Sequence, residues 1–208
     1  MDMKKERAKL VKKLKEEGYI VSGKVEKAML SVPRELFIEG EDRALAYLDR
    51  PLEIGSGQTI SAPHMVAMIT ELLETTKNST VMEIGSGSGY QAAVLSGLVK
   101  HVYTTERIPE VAERAERNLK ETGIINVTIK RSDGSRGLEE HAPYDRIMVT
   151  CSTPEIFVSW KEQLRDGGII VAPLEKNGVQ ELVRVRKTPE GFVTEEHGRC
   201  VFVPLVRE

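Results

Sequence analysis

The sequence predicts an α/β protein with a doubly wound, mostly parallel sheet, helices on both faces, an N-terminal helical layer and antiparallel C-terminal strands. From Thr80 onward, short apolar runs alternate with helical segments, which is typical of parallel strands covered on both faces. After Pro173 the pattern changes to short strands, which indicates antiparallel strands at one sheet edge. Because 208 residues is an ordinary single-domain length, we predict one domain, 1–208, with the N-terminal layer in 1–60 and the core in 61–208.

In the first sixty residues, the sequence pattern predicts two short helices joined by loops. Residues 3–17 place apolar side chains on one helical face, and Gly18 is a typical residue just beyond a helix C-terminus. Ser22 is a candidate N-cap for the second helix, which Pro33 terminates.

In the core region, the sequence predicts strands that alternate with helices. The predicted strands are 80–84, 100–105, 126–130, 145–151 and 168–172. The predicted helices are 90–98, 110–122 and 154–165. The antiparallel strands that finish the sheet are expected at about 180–187, 191–196 and 200–205, with a turn at 188–191.

Composition and charge argue against several classes of protein. A net charge of −2 disfavours a nonspecific nucleic-acid binder, which needs clustered Lys and Arg, and glutamates interrupt the basic run at 4–15. No run approaches the ~18 apolar residues of a membrane helix, so we expect no membrane contact. Cys151 and Cys200 lie far apart, which predicts neither a disulfide framework nor a metal site. The charged start lacks a signal-peptide pattern, so we expect a cytoplasmic protein. We also expect a monomer.

The first core strand leads into a glycine-rich loop, VMEIGSGSGYQAA, that predicts a nucleotide-type cofactor site. Gly85, Gly87 and Gly89 would let backbone N–H groups and a helix N-terminus approach a ligand. A dinucleotide oxidoreductase would need a third packing glycine where Tyr90 stands, and Glu83 would repel a pyrophosphate. S-adenosyl-L-methionine carries a sulfonium and an ammonium and no phosphate. The acidic residue therefore favours this methyl donor.

Two more carboxylates follow the next two strands. Glu106 lies about twenty residues after Gly85, where it can accept both ribose hydroxyls of a cofactor, and Asp133 is placed to face the adenine amino group. Taken singly, Glu106 is also explained as a solvated charge, and Asp133 as a turn former ahead of Gly134. Because the carboxyl ends of parallel strands meet at one edge, the three carboxylates together favour the cofactor site.

The segment GQTISAPHM places two hydroxyls and an imidazole before an amphipathic helix. Ser61 followed by Pro63 predicts a helix start. The buried stripe of that helix is predicted to comprise Met65, Val66, Met68, Ile69, Leu72 and Leu73. For Ser61 alone, helix capping is the simpler interpretation.

Five segments carry a family resemblance: GQTISAPHMVA, VMEIGSGSGYQAAVL, TTERIPEVAERAERNL, APYDRIMVT and FVPL. Together they closely resemble the protein-L-isoaspartate O-methyltransferases, over roughly Val32 to Leu205. TISAPH is specific to that family, whereas the glycine loop is shared with most class I S-adenosylmethionine-dependent methyltransferases. The resemblance implies a Rossmann-like methyltransferase fold.

The resemblance also implies repair of damaged proteins. Methyl from S-adenosyl-L-methionine would go to the α-carboxylate of an L-isoaspartyl residue, and S-adenosyl-L-homocysteine would be released. The ester would collapse to a succinimide, and hydrolysis of that ring would return some normal aspartate. A carboxylate with a reference pKa of about 4 is ionised at neutral pH, so the transfer needs no general base. The work of the enzyme is then to position its reactants.

The resemblance and the loop pattern define the candidate site residues. Ser61 matches the position treated as the active-site residue, and its hydroxyl is predicted to orient the acceptor carboxylate. The implied substrate positions are Thr59, Ile60, Ala62, His64, Val203 and Pro204. The donor is expected to contact Glu83, Ile84, Gly85, Ser86, Gly87, Gly89, Glu106, Arg107, Asp133 and Gly134, with no metal. His64 is equally explained as a first-turn helix residue that does not contact substrate.

A few residues depart from the family pattern or suggest another reaction. Ser132 stands where relatives commonly have glycine, and Cys151 and Ser152 stand where small alanines are usual. Cys151 would suit the nucleophile of an RNA cytosine-5 methyltransferase, but a small buried residue is the simpler interpretation. The alternatives are a class I methyltransferase acting on RNA or a small molecule, and a noncatalytic donor-binding module. The intact TISAPH segment argues against the second.

Overall fold

The computed structural model describes residues 2–207, and its first two helices confirm the sequence prediction. Helix α1 spans Met3–Glu16 and helix α2 spans Gly23–Ser31. The Ser22 hydroxyl accepts the Val25 N–H at 3.3 Å and so caps α2, and Gly18 follows α1 with a φ of +82°. The N-terminal layer therefore begins where the capping residues predict.

A two-stranded hairpin in the first sixty residues corrects the expectation of helices and loops alone. Strands β1 (Leu52–Gly55) and β2 (Gln58–Ile60) pair antiparallel, directly before helix α3 (Pro63–Leu72). Gly55, Ser56 and Gly57 all have positive φ, which allows a tight turn. The strands are four and three residues long, too short for an alternating pattern to be recognised in the sequence.

The core is a seven-stranded sheet that confirms the predicted fold class. Its elements are β3 (Thr80–Ile84), α4 (Tyr90–Ser96), β4 (His101–Glu106), α5 (Pro109–Glu121), β5 (Val127–Arg131), β6 (Tyr144–Val149), α6 (Val158–Glu162), β7 (Leu164–Lys176), β8 (Val179–Thr188) and β9 (Gly191–Cys200). The strand order is β5-β4-β3-β6-β7-β8-β9. The first five strands in that order are parallel, and β8 and β9 are antiparallel to their neighbours.

Two predictions near the C-terminal edge are wrong. The predicted helix 154–165 is reduced to α6, because the chain before it is held in an extended bridge between Thr153 and Leu174. The predicted strand 200–205 is not a strand but an extended tail with one parallel bridge, between Ser152 and Pro204. Both features depend on contacts between segments far apart in the chain, which local patterning does not report.

Strand β7 is also longer than predicted, because it continues through Pro173. The Pro173 carbonyl accepts the Thr153 N–H at 3.0 Å on the side away from β8. The proline nitrogen faces the same side, so the ladder with β8 loses no donor.

The sheet has a hydrophobic cluster on each face, and its strand order reverses at β3. Val81 packs in the cluster that includes α1 to α5, whereas Met82 packs in the cluster of Trp160 on α6. Strand β3 lies between β4 and β6, and ligands of such sheets bind at the carboxyl ends of the strands beside this reversal. Within the described chain, no helix has the length and apolar character needed to cross a membrane.

A fully buried arginine joins the N-terminal layer to the core. Arg34 donates from Nε to the Ala46 carbonyl at 2.9 Å, and its guanidinium lies 5.2 Å from the centre of the Tyr90 ring at the start of α4. Burial lowers the pKa of Arg34 to about 10. The arginine thereby fixes the chain just before the hairpin and the TISAPH segment.

Candidate active site

Three connected depressions lie at the carboxyl ends of the parallel strands. The inner cleft is lined by residues that include Ser61, Gly85, Gln91, Glu106 and Thr150. The outer cleft shares Gly85 and Glu106 with it and adds Ile84, Arg107, Gly134 and Pro204. The open groove shares Thr59, Ser61, Thr150 and Val203 with the inner cleft and adds Ala62, His64 and Arg199. Ser61 therefore lies at the boundary of the inner cleft and the open groove.

The glycine loop forms one wall of the inner cleft. Gly85, Gly87 and Gly89 all have positive φ, between 52° and 92°, so each needs the freedom of glycine. A Cβ on Gly85 would lie 2.9 Å from the Thr150 hydroxyl oxygen. Gly89 does not line the clefts; its missing side chain lets α4 pack on Ala115 of α5.

Glu106 organises the loop from the end of β4. One carboxylate oxygen accepts the Gly87 N–H at 3.1 Å, and the other accepts the N–H groups of Arg107 and Ile108 at 2.9 and 3.0 Å. These bonds fix a largely buried anion between the inner and outer clefts. An anion at this point suits a ligand with hydroxyl groups and positive charge and disfavours a phosphate.

Glu83 is fully buried beneath the loop and lines none of the three depressions. Among residues 2–207, neither of its carboxylate oxygens has a hydrogen-bond partner. Burial raises the pKa of Glu83 to about 8, and the charge of Glu106 adds to that effect. The nearby Thr104 hydroxyl lowers the pKa of Glu83, but only in part, because the two side chains do not form a hydrogen bond with good geometry. Burial therefore favours the protonated form of Glu83 at neutral pH.

The turn after β5 brings Asp133 and Gly134 to the same edge of the sheet. The Asp133 carboxylate accepts the Ser135 N–H at 2.9 Å, and the residue is buried without lining a cleft. Gly134 lines the outer cleft, and a Cβ there would lie 2.5 Å from Ile84 Cγ2. The Trp160 indole N–H donates to the Gly134 carbonyl at 2.8 Å and fixes the turn.

The TISAPH segment crosses the mouth of the inner cleft, and Ser61 does not cap the helix that follows. The N-cap of α3 is Ala62, which contributes no side-chain hydrogen bond. Asp49 caps the helix instead, because one of its oxygens accepts both the backbone N–H and ring Nδ1 of His64, each at 2.9 Å. The Tyr19 ring packs 5.1 Å from the His64 ring. The helix is thus anchored without the Ser61 hydroxyl.

The C-terminal tail forms the far wall of the open groove. The Gln180 side chain accepts the Phe202 N–H at 2.7 Å and donates to the Phe202 carbonyl at 3.0 Å. The Val203 carbonyl accepts the Ser152 N–H at 2.8 Å. The tail is therefore held extended by the Gln180 side chain and the Ser152 backbone, without a continuous strand pairing.

Most predicted site residues converge on these depressions. Those that line them are Thr59, Ile60, Ser61, Ala62, His64, Ile84, Gly85, Ser86, Gly87, Glu106, Arg107, Gly134, Val203 and Pro204. Three predicted site residues do not line any of the depressions: Glu83, Gly89 and Asp133. Four residues that also line the depressions were not predicted as site residues: Gln58, Gln91, Thr150 and Arg199. Two of them had a recognisable signal in the sequence: Thr150 is a polar residue at the end of an apolar strand, and Gln91 is a polar residue within an apolar helix.

Comparison with known proteins gives the family directly. The family model described as protein-L-isoaspartate(D-aspartate) O-methyltransferase (PCMT) matches residues 4–208. The chain belongs to this family. A curated protein-L-isoaspartate O-methyltransferase of Ignicoccus hospitalis is 49% identical over 210 residues, which covers 99% of this chain and 100% of the relative. Its counterpart in Methanopyrus kandleri is 50% identical over 97% of this chain and 92% of the relative.

Solved structures agree with the family assignment. A protein-L-isoaspartate O-methyltransferase structure superposes with a TM-score of 0.87 at 32% identity, over 95% of this chain and 65% of that one. A β-aspartate methyltransferase (PCMT) of Plasmodium falciparum, solved with S-adenosyl-L-homocysteine, gives a TM-score of 0.85 at 26% identity over 97% of this chain and 99% of that one. The same family fold is therefore compatible with this ligand.

The structure supports the simpler interpretation of Cys151. The residue is 6% exposed, and burial raises the pKa of its thiol, with Glu106 and Glu83 adding to the effect. A thiol that is hard to ionise is a poor nucleophile. In the described residues there is also no group of three or more His, Cys, Asp or Glu side chains placed to hold a metal ion.

Proposed function

We propose that this chain transfers methyl from S-adenosyl-L-methionine to the α-carboxylate of L-isoaspartyl residues in peptides and damaged proteins. The observation that carries the proposal is the position of Ser61. Its segment forms the boundary between an inner cleft, which contains a glycine loop and the Glu106 carboxylate, and an open groove. We also propose that residues 1–208 act as one methyltransferase domain, monomeric and cytoplasmic. The net charge of −2 favours a peptide acceptor over a polyanion.

The residues of the inner and outer clefts fit the proposed donor. Glu106 presents an anion next to both clefts, Glu83 is an orphaned buried carboxyl behind the loop, and the loop itself has no side chains at three positions. We assign donor contacts to Ile84, Gly85, Ser86, Gly87, Glu106, Arg107 and Gly134. Glu83 acts through its charge, Gly89 through packing, and Asp133 by shaping the turn. When bound, S-adenosyl-L-methionine supplies an electrophilic methyl group on a positively charged sulfur.

The acceptor side of the site would work by orientation rather than by proton transfer. An isoaspartyl carboxylate is ionised at neutral pH, so no group need remove a proton. The Ser61 hydroxyl is uncommitted to helix capping and can donate to one carboxylate oxygen. Thr59, Ile60, Ala62 and His64 shape the groove on one side, and Val203 and Pro204 on the other. Holding the reacting oxygen in line with the methyl group lowers the entropic part of the barrier.

The test is methyl transfer from labelled S-adenosyl-L-methionine to two synthetic peptides that differ only in L-isoaspartate versus L-aspartate at one position. We expect base-labile label on the isoaspartyl peptide alone. Label on neither peptide, with donor binding intact, would contradict the proposed acceptor and direct the search to RNA or a small molecule.

The role of Ser61 has its own test. Ser61→Ala is expected to lower turnover roughly ten- to hundredfold, as for loss of a hydrogen bond to a charged group, and to leave the donor Kd nearly unchanged. Ser31→Ala, an exposed serine outside the three depressions, is the matched control. Undiminished turnover in Ser61→Ala would exclude the assigned role.

A further inference from the structure

Gln91 on the first turn of α4 carries a buried polar atom that the proposed function does not use. The residue is 8% exposed and lines the inner cleft. Its Nε2 donates to the Thr70 hydroxyl oxygen at 3.0 Å. In the described part of the chain, Gln91 Oε1 has no hydrogen-bond partner. Buried acceptors are nearly always satisfied, so an orphaned one beside a cleft indicates a missing donor.

The orientation of the Gln91 amide is fixed by its neighbours. The Thr70 hydroxyl donates its single proton to the Val66 carbonyl at 2.7 Å, so that oxygen can only accept from Gln91. Rotating the amide by 180° would place Oε1 against a hydroxyl whose proton is already used. The orphaned atom is therefore an acceptor, and its partner must supply an N–H or O–H group.

The position of Gln91 restricts which ligand group that partner is. Gln91 lines the inner cleft but neither the outer cleft nor the open groove, which favours the methyl donor over the peptide acceptor as its partner. Glu106, shared by the inner and outer clefts, is the acceptor for the ribose hydroxyls. At the amino-acid end of the donor, only the α-ammonium group can donate, because the α-carboxylate is an acceptor.

We infer that Gln91 Oε1 accepts a hydrogen bond from the α-ammonium group of the methyl donor and is a specificity residue for that group. The inference rests on the proposed function, because it takes the donor to be S-adenosyl-L-methionine. It also explains a polar residue in the otherwise apolar first turns of α4, which reads YQAAVLS.

The experiment compares two ligands and two proteins by calorimetry. The ligands are S-adenosyl-L-homocysteine and its analogue with hydrogen in place of the α-amino group. The proteins are wild type and Gln91→Met, which keeps the side-chain volume and removes the carbonyl. We expect wild type to prefer the amino ligand by roughly tenfold or more, and Gln91→Met to lose most of that preference while binding the deamino analogue as before.

Two further variants keep the result interpretable. Gln58→Met, at a second cleft glutamine, is expected to change the affinity for both ligands by the same factor. Thr70→Val removes the hydroxyl that orients the amide and is expected to weaken the preference as well, which provides the test should Gln91→Met fail to fold. An unchanged preference in Gln91→Met, or in Thr70→Val, overturns the inference. The proposed function fails separately, through absence of methyl transfer to the isoaspartyl peptide by a wild type that shows the preference.

Discussion

Replacing Glu83 by glutamine should remove much of the pH dependence of stability between about pH 4.5 and 8. In the ligand-free protein, burial raises the pKa of this carboxyl from 4.5 to about 8. Between these two values the unfolded chain has lost the proton while the folded chain keeps it. The folded state then binds more protons, so the free energy of unfolding falls as pH rises and levels off above pH 8. The difference between the two pKa values corresponds to at most about 5 kcal/mol.

The assay is urea unfolding of wild type and Glu83→Gln from pH 5 to pH 9 without donor. Other titrating groups contribute equally to both proteins, so the difference between the two curves isolates Glu83. We expect the variant to gain stability relative to wild type as pH rises, by a few kcal/mol at pH 8. Glu53→Gln, an exposed glutamate on β1, should show no such trend. Parallel curves for wild type and Glu83→Gln over this range would refute the reasoning.

Binding of the methyl donor should convert the Glu83 carboxyl from its protonated to its ionised form. A cation in the inner cleft favours the ionised form of Glu83, so binding of S-adenosyl-L-methionine at pH 7 should release close to one proton from wild type. Glu83→Gln should release almost none. Calorimetry in buffers with different ionisation enthalpies measures this number directly, and equal proton release by both proteins would contradict the link.

Two further substitutions test the walls of the site. Gly134→Ala would place a Cβ 2.5 Å from Ile84 Cγ2, so we expect a loss of about 1–3 kcal/mol of stability together with weaker donor binding, measured by urea unfolding and calorimetry. Asp49→Ala removes the acceptor for the backbone N–H and ring Nδ1 of His64, and should raise the peptide KM roughly tenfold with an unchanged donor Kd. Equal changes in both constants would show that Asp49 supports the whole cleft rather than the groove.

The sequence predicts the parts of this fold that local chemistry determines. Strand β3, the glycine loop and α4 follow from an apolar run, three glycines and a helical pattern within a few residues of one another. The hairpin and the tail at 200–205 could not be predicted in the same way. The tail is extended because Gln180, on the neighbouring strand β8, bonds both backbone groups of Phe202.

In the candidate site, too, the residues that act through local chemistry could be predicted, and those that act through long-range contacts could not. The glycines and Glu106 were recognisable because loop and strand-end chemistry is local. Thr150 was not, because its importance comes from two bonds across the β3–β6 junction: its backbone N–H donates to the Ile84 carbonyl at 3.0 Å, and its hydroxyl donates to the Gly85 carbonyl at 2.5 Å. Those bonds fix the start of the glycine loop from the neighbouring strand. A residue that acts through such a long-range contact looks like any other threonine at the end of an apolar strand.

Ser61 does not cap α3, although its position before Pro63 suits a helix cap. A serine two positions before a proline is a good helix cap, and a serine that caps a helix has its lone pairs directed at backbone N–H groups. Asp49 supplies that function instead, through the backbone N–H of His64 in the first turn of α3. The helix start therefore stays anchored while the Ser61 hydroxyl remains available at the boundary of the inner cleft and the open groove. The role proposed for Ser61, orientation of the acceptor carboxylate, is therefore compatible with a rigid helix start.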